Sequence, residues 1–272
     1  MDGVGPVILL QGAGRMGFAL LSGWLAQEIA GRPPIVLEPS PSAELVRLAS
    51  QGRVVLNPDP APAAIDIAVV AVKPQTFSSV VPSIVPFIGP QTLVMSIAAG
   101  KTLADIGRAV GSSRPLARVM PNTPAAIGAG ISVACAGPSV SDNSRALCTR
   151  LLEAVGAVEW IENEDQMDAV TALSGSGPAY VFYFAECLAA AGRDAGLDAA
   201  LADRLARATV CGSGALLQAR NEAPGLLRAE VTSPGGTTEA ALNVLMHDRK
   251  FERLIREAID AARRRAGALS QM

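Results

Sequence analysis

A single histidine, His247, stands among the 272 residues of this chain, and that scarcity gives a histidine-based triad or metal cluster little support. His247 follows an apolar helical stretch and precedes Asp248, the setting of a surface turn residue. The four cysteines, Cys135, Cys148, Cys187 and Cys211, are widely spaced and form no CxxC pair. Neither a zinc site nor a disulfide framework is indicated, and all four are expected as small buried apolar residues. Net charge is also missing: 23 basic against 25 acidic residues leave −2, no footprint for nucleic acid or an anionic membrane. No uncharged apolar run approaches the roughly 18 residues of a membrane span, and the opening Met-Asp-Gly-Val-Gly-Pro carries neither a basic leader nor an apolar core. The expectation is a soluble, cytoplasmic protein. GxSxG, GKS/GKT and HExxH motifs are absent as well.

What the chain has is aliphatic bulk: half its residues are hydrophobic and only 4% aromatic, which suits closely packed helices better than an aromatic-rich sandwich. Its length accommodates two domains. Short apolar runs at Val7–Leu10, Ile35–Leu37, Ile65–Val72, Leu93–Ile97 and Leu116–Val119 alternate with helical or turn segments, and Val133–Ala136 and Ala157–Trp160 supply further strands. Strands that are apolar throughout and alternate with helices predict a parallel sheet covered on both faces. After Ile161 the β-branched runs give way to Ala-, Leu- and Arg-rich stretches. Helices are predicted over Gln166–Leu173, Pro178–Ala191, Ala199–Gln218, Thr237–Met246 and Phe251–Ala266, with Asp248 capping the last. The expected organisation is a dinucleotide-binding sheet domain over 1–162 and an all-α domain over 163–272. Ala-rich helices bury limited area alone, so the second domain is expected to associate with a second copy, a homodimer at least; the alternative is a monomer whose helices pack on the sheet domain.

The chemistry-bearing motifs fall at strand ends and helix starts. Gln11-Gly12-Ala13-Gly14-Arg15-Met16-Gly17 follows a predicted strand and opens a helix, the context of a dinucleotide loop. Gly12 serves the tight turn, Gly14 the approach of a pyrophosphate and Gly17 close helix packing, while Met16 fills the apolar side. Glu38 closes the second strand, where a carboxylate bonds ribose hydroxyls and repels a 2′-phosphate; Ser40 and Ser42 would equally line a phosphate pocket, which leaves NADH and NADPH both open. Ala71-Val72-Lys73-Pro74 ends the third predicted strand, with Lys73 either near a phosphate or capping the turn. Ser96–Gly100, including Ala98, and Met120–Pro124 end later strands on the same edge, and Asn122 and Thr123 offer hydrogen bonds there or simply build a turn. Asn57 completes the candidate cofactor set.

Val231-Thr-Ser-Pro-Gly-Gly-Thr-Thr-Glu-Ala-Ala-Leu242 places hydroxyls and glycines directly before an apolar helix, an arrangement that builds a small anion site. Ser233, Gly235, Gly236, Thr237 and Thr238 are its candidate carboxylate binders; the plainer reading is a polar turn capped by Ser233 or Thr237. Leu173-Ser-Gly-Ser-Gly-Pro-Ala-Tyr180 is a second hydroxyl-bearing helix start, with Ser176 the best placed donor.

GAGRMG at 12–17, AVKPQ at 71–75, SIAAG at 96–100, MPNTPA at 120–125, LSGSGPAY at 173–180 and VTSPGGTTEAAL at 231–242 together resemble pyrroline-5-carboxylate reductases over nearly the whole chain. The resemblance implies a Rossmann-type doubly wound domain followed by a helical dimerisation domain, with the active site at the interface of two protomers. It also implies reduction of L-1-pyrroline-5-carboxylate to L-proline by NADPH or NADH, the last step of proline biosynthesis. On this reading the N–H groups of Gly236 to Thr238, with Ser233, hold the substrate carboxylate, Thr238 serves the ring nitrogen, and Ser176 and Asn122 shape the pocket. Met246 departs from the polar residue that members often carry. The competing readings are a 3-hydroxy acid dehydrogenase, for which the helical half has only Lys250 as a candidate acid or base, and a dinucleotide-binding regulator without turnover.

Overall fold

The computed structural model describes residues 5–59 and 64–270; the opening Met1–Val4, read above for a leader, lies outside them. Eight strands form one sheet in the order β3-β2-β1-β4-β5-β6-β7-β8: β1 Ile8–Gln11, β2 Ile35–Leu37, β3 Val55–Leu56, β4 Ile67–Val70, β5 Leu93–Ser96, β6 Leu116–Met120, β7 Gly130–Ala136 and β8 Gly156–Ile161. Alternate strand residues serve opposite faces. Ile8, Leu10, Val36, Ile67, Val69 and Met95 join one buried cluster, and Leu9, Ile35, Ala68, Val70 and Val94 join the other. The sheet is therefore covered on both faces, as the continuous apolar runs require.

Two features of the sheet depart from the sequence reading. The two-residue β3 was not anticipated, being too short for a periodic signal. The sheet is also not wholly parallel, because β7 runs antiparallel to β6. Only residues 121–129 join these two strands, and a parallel return needs a crossover of roughly a dozen or more.

The chain divides into two compact units. One runs to Gly175 and resumes at Ala262; the other is Ser176–Ala261. The change of composition after Ile161 coincides with the end of β8, and the segment up to Gly175 still belongs to the sheet unit. Gln166–Leu173 is not one regular helix as expected: Met167–Val170 makes a single α turn, and Thr171–Gly175 widens into a π turn. Two hydroxyls bond back to carbonyls there, Thr171 to Met167 and Ser174 to Val170, a pattern that competes with regular helix geometry. Within the same unit the end of the C-terminal helix packs against the β5 loop, where a Cβ on Gly100 would lie 3.2 Å from the Leu269 carbonyl carbon.

In the second unit the helices are Gly177–Asp194, Ala199–Ala219, Pro224–Glu230, Thr237–Met246 and the start of Lys250–Ser270. Pro224–Glu230 was not foreseen; its proline at the first turn is the signal that marks it. Asp248 does not cap the last helix. It sits at φ 51° in a kink, beside His247 at 3.3 Å, and both side chains are exposed. Cys135 and Cys148 are buried as expected, and burial pushes the Cys148 thiol up to about 12. Cys187 and Cys211 are exposed on helices of the second unit, contrary to expectation. No described helix is long and apolar enough to cross a membrane.

Candidate active site

The strand order places β2 on one side of β1 and β4 on the other, so a crevice opens at the carboxyl ends of β1 and β4 where the connections diverge. The glycine loop occupies that position. Gly12 has φ 91° and donates its N–H to Leu37 at 2.9 Å; a Cβ there would lie 2.7 Å from the Ala71 carbonyl oxygen. At Gly17 a Cβ would come within 2.2 Å of the Gly12 carbonyl oxygen, so the glycine is what lets the helix Arg15–Ala26 sit against the turn. Gly14 is the opposite case. It is exposed, and a Cβ there would meet nothing within 4 Å. The three glycines thus divide into turn, open approach and packing, and the open one gives a pyrophosphate room to reach the backbone at a helix N-terminus. Arg15 is exposed at the helix start, and Met16 packs on the core beneath.

Glu38 turns back onto this loop. Its Oε2 accepts the Ala13 N–H at 2.8 Å and its Oε1 the Ser40 N–H at 3.0 Å. Asn57, at φ 45°, pairs with the Glu38 peptide at two points: it accepts the Glu38 N–H at 2.8 Å and donates to the Glu38 carbonyl at 2.9 Å. Asn57, expected beside the cofactor, thus braces Glu38.

Other expected contributors are partly committed to the protein. Ala71 and Val72 lie under the Gly12 turn. The Lys73 carbonyl caps the turn Pro74–Thr76 by accepting the Thr76 N–H and hydroxyl, while its side chain is exposed, so capping and an available ammonium coexist. Ala98 is buried, its N–H goes to Ser96 Oγ and its carbonyl accepts the Lys101 N–H. Asn122, 9% exposed, accepts the Ile131 N–H at 3.0 Å and donates to the Ser174 carbonyl at 3.2 Å. Each end of its amide makes one bond, so it ties β6, β7 and the π turn together and keeps a second Nδ2–H.

The second unit carries the two hydroxyl-bearing helix starts. Ser176 precedes the helix Gly177–Asp194, is half-buried, and makes no side-chain capping bond. In the 231–238 loop, Gly235 takes φ 72°, and Gly236, not Ser233 or Thr237, is the N-cap of Thr237–Met246. The Gly236 N–H, expected as a carboxylate donor, closes the turn onto the Ser233 carbonyl at 3.0 Å. Beyond Gly236, the donors that the helix start leaves without an intrahelical partner are those of Thr237, Thr238 and Glu239, since Ala240 makes the first bond, to Gly236. Thr238 is half-buried, and Ser233 and Thr237 are exposed. Glu239 was overlooked in the sequence. It reaches back 2.8 Å to the Gly235 N–H and holds the loop, and its place three residues after the N-cap is the signal that reveals it. Arg118 was overlooked too. Buried on β6, it meets Glu164 at 2.9 Å and Asp168 at 3.9 Å, and a lone arginine in an apolar strand was its signal. Among the described residues no His, Cys, Asp and Glu group is arranged to hold a metal.

Known proteins resemble this chain in sequence and fold. A profile described as pyrroline-5-carboxylate reductase dimerisation matches residues 164–269, and one described as coenzyme F420-dependent NADP oxidoreductase matches residues 7–100. The pyrroline-5-carboxylate reductase of Pseudomonas aeruginosa is 38% identical across 98% of this chain and 97% of its own length. That of Pisum sativum is 36% identical across 95% of this chain and 94% of its own. Among solved structures, a pyrroline-5-carboxylate reductase from Coxiella burnetii superposes with a TM-score of 0.90 at 32% identity, covering 98% of this chain and 99% of that one. The Plasmodium falciparum pyrroline carboxylate reductase, solved with NADP bound, gives 0.82 at 29% identity, covering 99% and 100%. With such identity along nearly its entire length, this chain belongs to the pyrroline-5-carboxylate reductase family.

Proposed function

We propose that this protein reduces L-1-pyrroline-5-carboxylate to L-proline, with NADPH or NADH as reductant, in the last step of proline biosynthesis. The observation that carries the reading is the helix start at Thr237 and Thr238, with N–H groups outside the intrahelical ladder and hydroxyls beside them. Such a site binds a carboxylate and orients a ring; the reading asks of it no strong acid, base or nucleophile. A protonated cyclic imine needs none, because it is already electrophilic. The bound nicotinamide supplies the hydride, and the chain's task is positioning.

In the sheet unit, the backbone at Gly14 and Arg15 would hold the pyrophosphate, Glu38 the adenosine ribose, and Lys73 the phosphate or ribose edge. In the helical unit, the N–H groups of Thr237 and Thr238, with the Ser233 hydroxyl, hold the substrate carboxylate. The Thr238 hydroxyl accepts the hydrogen bond of the iminium N–H and keeps the ring oriented, and Ser176 adds a second hydroxyl. Gly235 and Glu239 fix the loop that presents them.

The working form is a homodimer. The helices of the second unit expose Val181, Phe182, Leu205, Leu217, Val244 and Leu254, apolar side chains that a second copy would cover. Localisation in the cytoplasm accords with the absence of a spanning helix among the described residues. The test is the fall in absorbance at about 340 nm on adding pyrroline-5-carboxylate with NADH or NADPH, together with detection of proline. Rapid oxidation with proline formed is expected. A folded protein that binds dinucleotide but turns over nothing would favour the regulator reading.

A further inference from the structure

The residues at the end of β2 bear on which dinucleotide this chain prefers. A 2′-phosphate needs donors or cations around the adenosine ribose, whereas a free 2′-hydroxyl needs an acceptor. Here the acceptor is built in, and the basic residue of the following helix, Arg47, is paired with Glu44. Glu38 carries a carboxylate whose oxygens each accept one backbone N–H, from Ala13 and Ser40, which leaves further lone pairs for hydroxyl groups. The Asn57 side chain fastens the Glu38 peptide at both its N–H and its carbonyl, so the carboxylate is held in place before any ligand arrives. Ser42 is occupied as an N-cap, accepting the Leu45 N–H at 3.2 Å, and the Ser40 N–H points to Glu38. Arg47, the basic residue of the helix Ala43–Ser50, spends its guanidinium on Glu44, with contacts of 2.5 and 3.1 Å.

We infer that this chain selects NADH over NADPH, with Glu38 as the specificity-determining residue and Asn57 as the residue that positions it. The inference rests on the dinucleotide reading above and concerns only the form of dinucleotide bound. A fixed negative charge at the ribose attracts two hydroxyl donors and repels a phosphate, so the two cofactors separate by charge and hydrogen bonding together.

Binding without substrate tests it. Isothermal titration of the whole protein with NADH and with NADPH, repeated with 5′-AMP and 2′,5′-ADP, reads the ribose site apart from turnover. The parent should bind NADH about tenfold or more tightly than NADPH, the scale of one charged hydrogen bond. Glu38→Gln should narrow that ratio about tenfold, chiefly by improving NADPH. Asn57→Gly keeps the left-handed backbone available while removing the brace, and should narrow the ratio as well; a merely structural role would weaken both dinucleotides alike and leave the ratio unchanged. Equal affinity in the parent, or a ratio indifferent to Glu38→Gln, overturns the inference. Tighter NADPH would do the same and pass the decision to Arg15. If neither dinucleotide binds, the cofactor reading itself falls, and the two failures are thereby told apart.

Discussion

Asn122 Nδ2 donates to the backbone carbonyl of Ser174 at 3.2 Å, while the other end of the same amide accepts the Ile131 N–H. One side chain thus pins the π turn Thr171–Gly175 to the ends of β6 and β7, just before Ser176. Asn122→Ala should leave NADH affinity unchanged, lower kcat/KM for the imine severalfold, and cost about 1–3 kcal/mol by stranding both backbone groups. Dinucleotide titration, steady-state kinetics and urea unfolding separate these effects. A large loss of NADH affinity with unaltered imine kinetics would show that Asn122 meets the cofactor instead.

Gly14 and Gly17 make opposite demands on the same loop. A methyl at Gly17 has to displace the Gly12 carbonyl, so Gly17→Ala should destabilise the fold by about 1–3 kcal/mol and abolish dinucleotide binding. A methyl at Gly14 meets nothing in the protein, and the backbone there, at φ −66°, suits any residue. Gly14→Ala should therefore keep its melting temperature within a degree or two of the parent, by a rough entropy argument, while NADH affinity falls. Unchanged affinity in a folded Gly14→Ala protein would place the pyrophosphate elsewhere.

Such contrasts mark how far the sequence can be read. The glycine loop was legible because spacing, preceding strand and following helix all bear on one local turn. The eight-stranded sheet was legible nearly strand by strand for the same reason, since a run buried on both faces, such as Ile67–Val70, declares itself. Commitments of side chains were not legible. Asn57, Asn122 and Ala98 sit where a ligand-binding residue would sit, and only the fold shows the bonds they make to Glu38, Ser174 and Ser96. The direction of β7 turned on the length of a connection, and the exposure of Cys187 and Cys211 on how helices pack, neither of which is written in local pattern.

Arg118 and Glu164 show what such hidden commitments cost. The guanidinium is almost fully buried, and Glu164 also accepts the Leu103 N–H, joining β6 to the start of the helix Leu103–Val110. Glu164→Ala leaves a buried cation with only Asp168 at 3.9 Å, and should cost about 3 kcal/mol or more. Arg118→Met replaces the cation with an apolar chain and leaves Glu164 near solvent, so it should cost less. Urea unfolding of the two variants gives the order; the reverse order would mean that the arginine is better hydrated than its burial implies.

Asp105 carries a pH-dependent share of stability. Burial disfavours its charge, but the Thr102 N–H and hydroxyl, with Arg108 and Lys101, outweigh that and hold its carboxyl below the usual range. A depressed folded-state value means the contribution is present above the unfolded carboxylate value, about 4, and is lost as pH falls through the folded one. Asp105→Asn keeps an acceptor for the Thr102 N–H and removes the charge. It should be less stable than the parent at neutral pH, with the gap closing below about pH 4. A gap independent of pH would assign the effect to lost hydrogen bonding alone.

Thr238 is where the chemistry is most exposed to test, because its backbone and its hydroxyl have separable duties. It lies in the first turn of Thr237–Met246 after the Gly236 cap, where the N–H belongs to the helix start whatever the side chain. Thr238→Ala therefore keeps the carboxylate donors and removes only the hydroxyl assigned to the ring nitrogen. That change should lower kcat/KM by about tenfold to a thousandfold, mostly in kcat, since the bond it removes orients the imine for hydride transfer. Thr238→Ser restores the hydroxyl without the methyl and should recover most of the activity. Steady-state kinetics with pyrroline-5-carboxylate distinguish the cases. Activity of Thr238→Ala within about twofold of the parent, less than the loss of one oriented hydrogen bond, would remove the hydroxyl from the mechanism and leave the backbone as the residue's whole contribution.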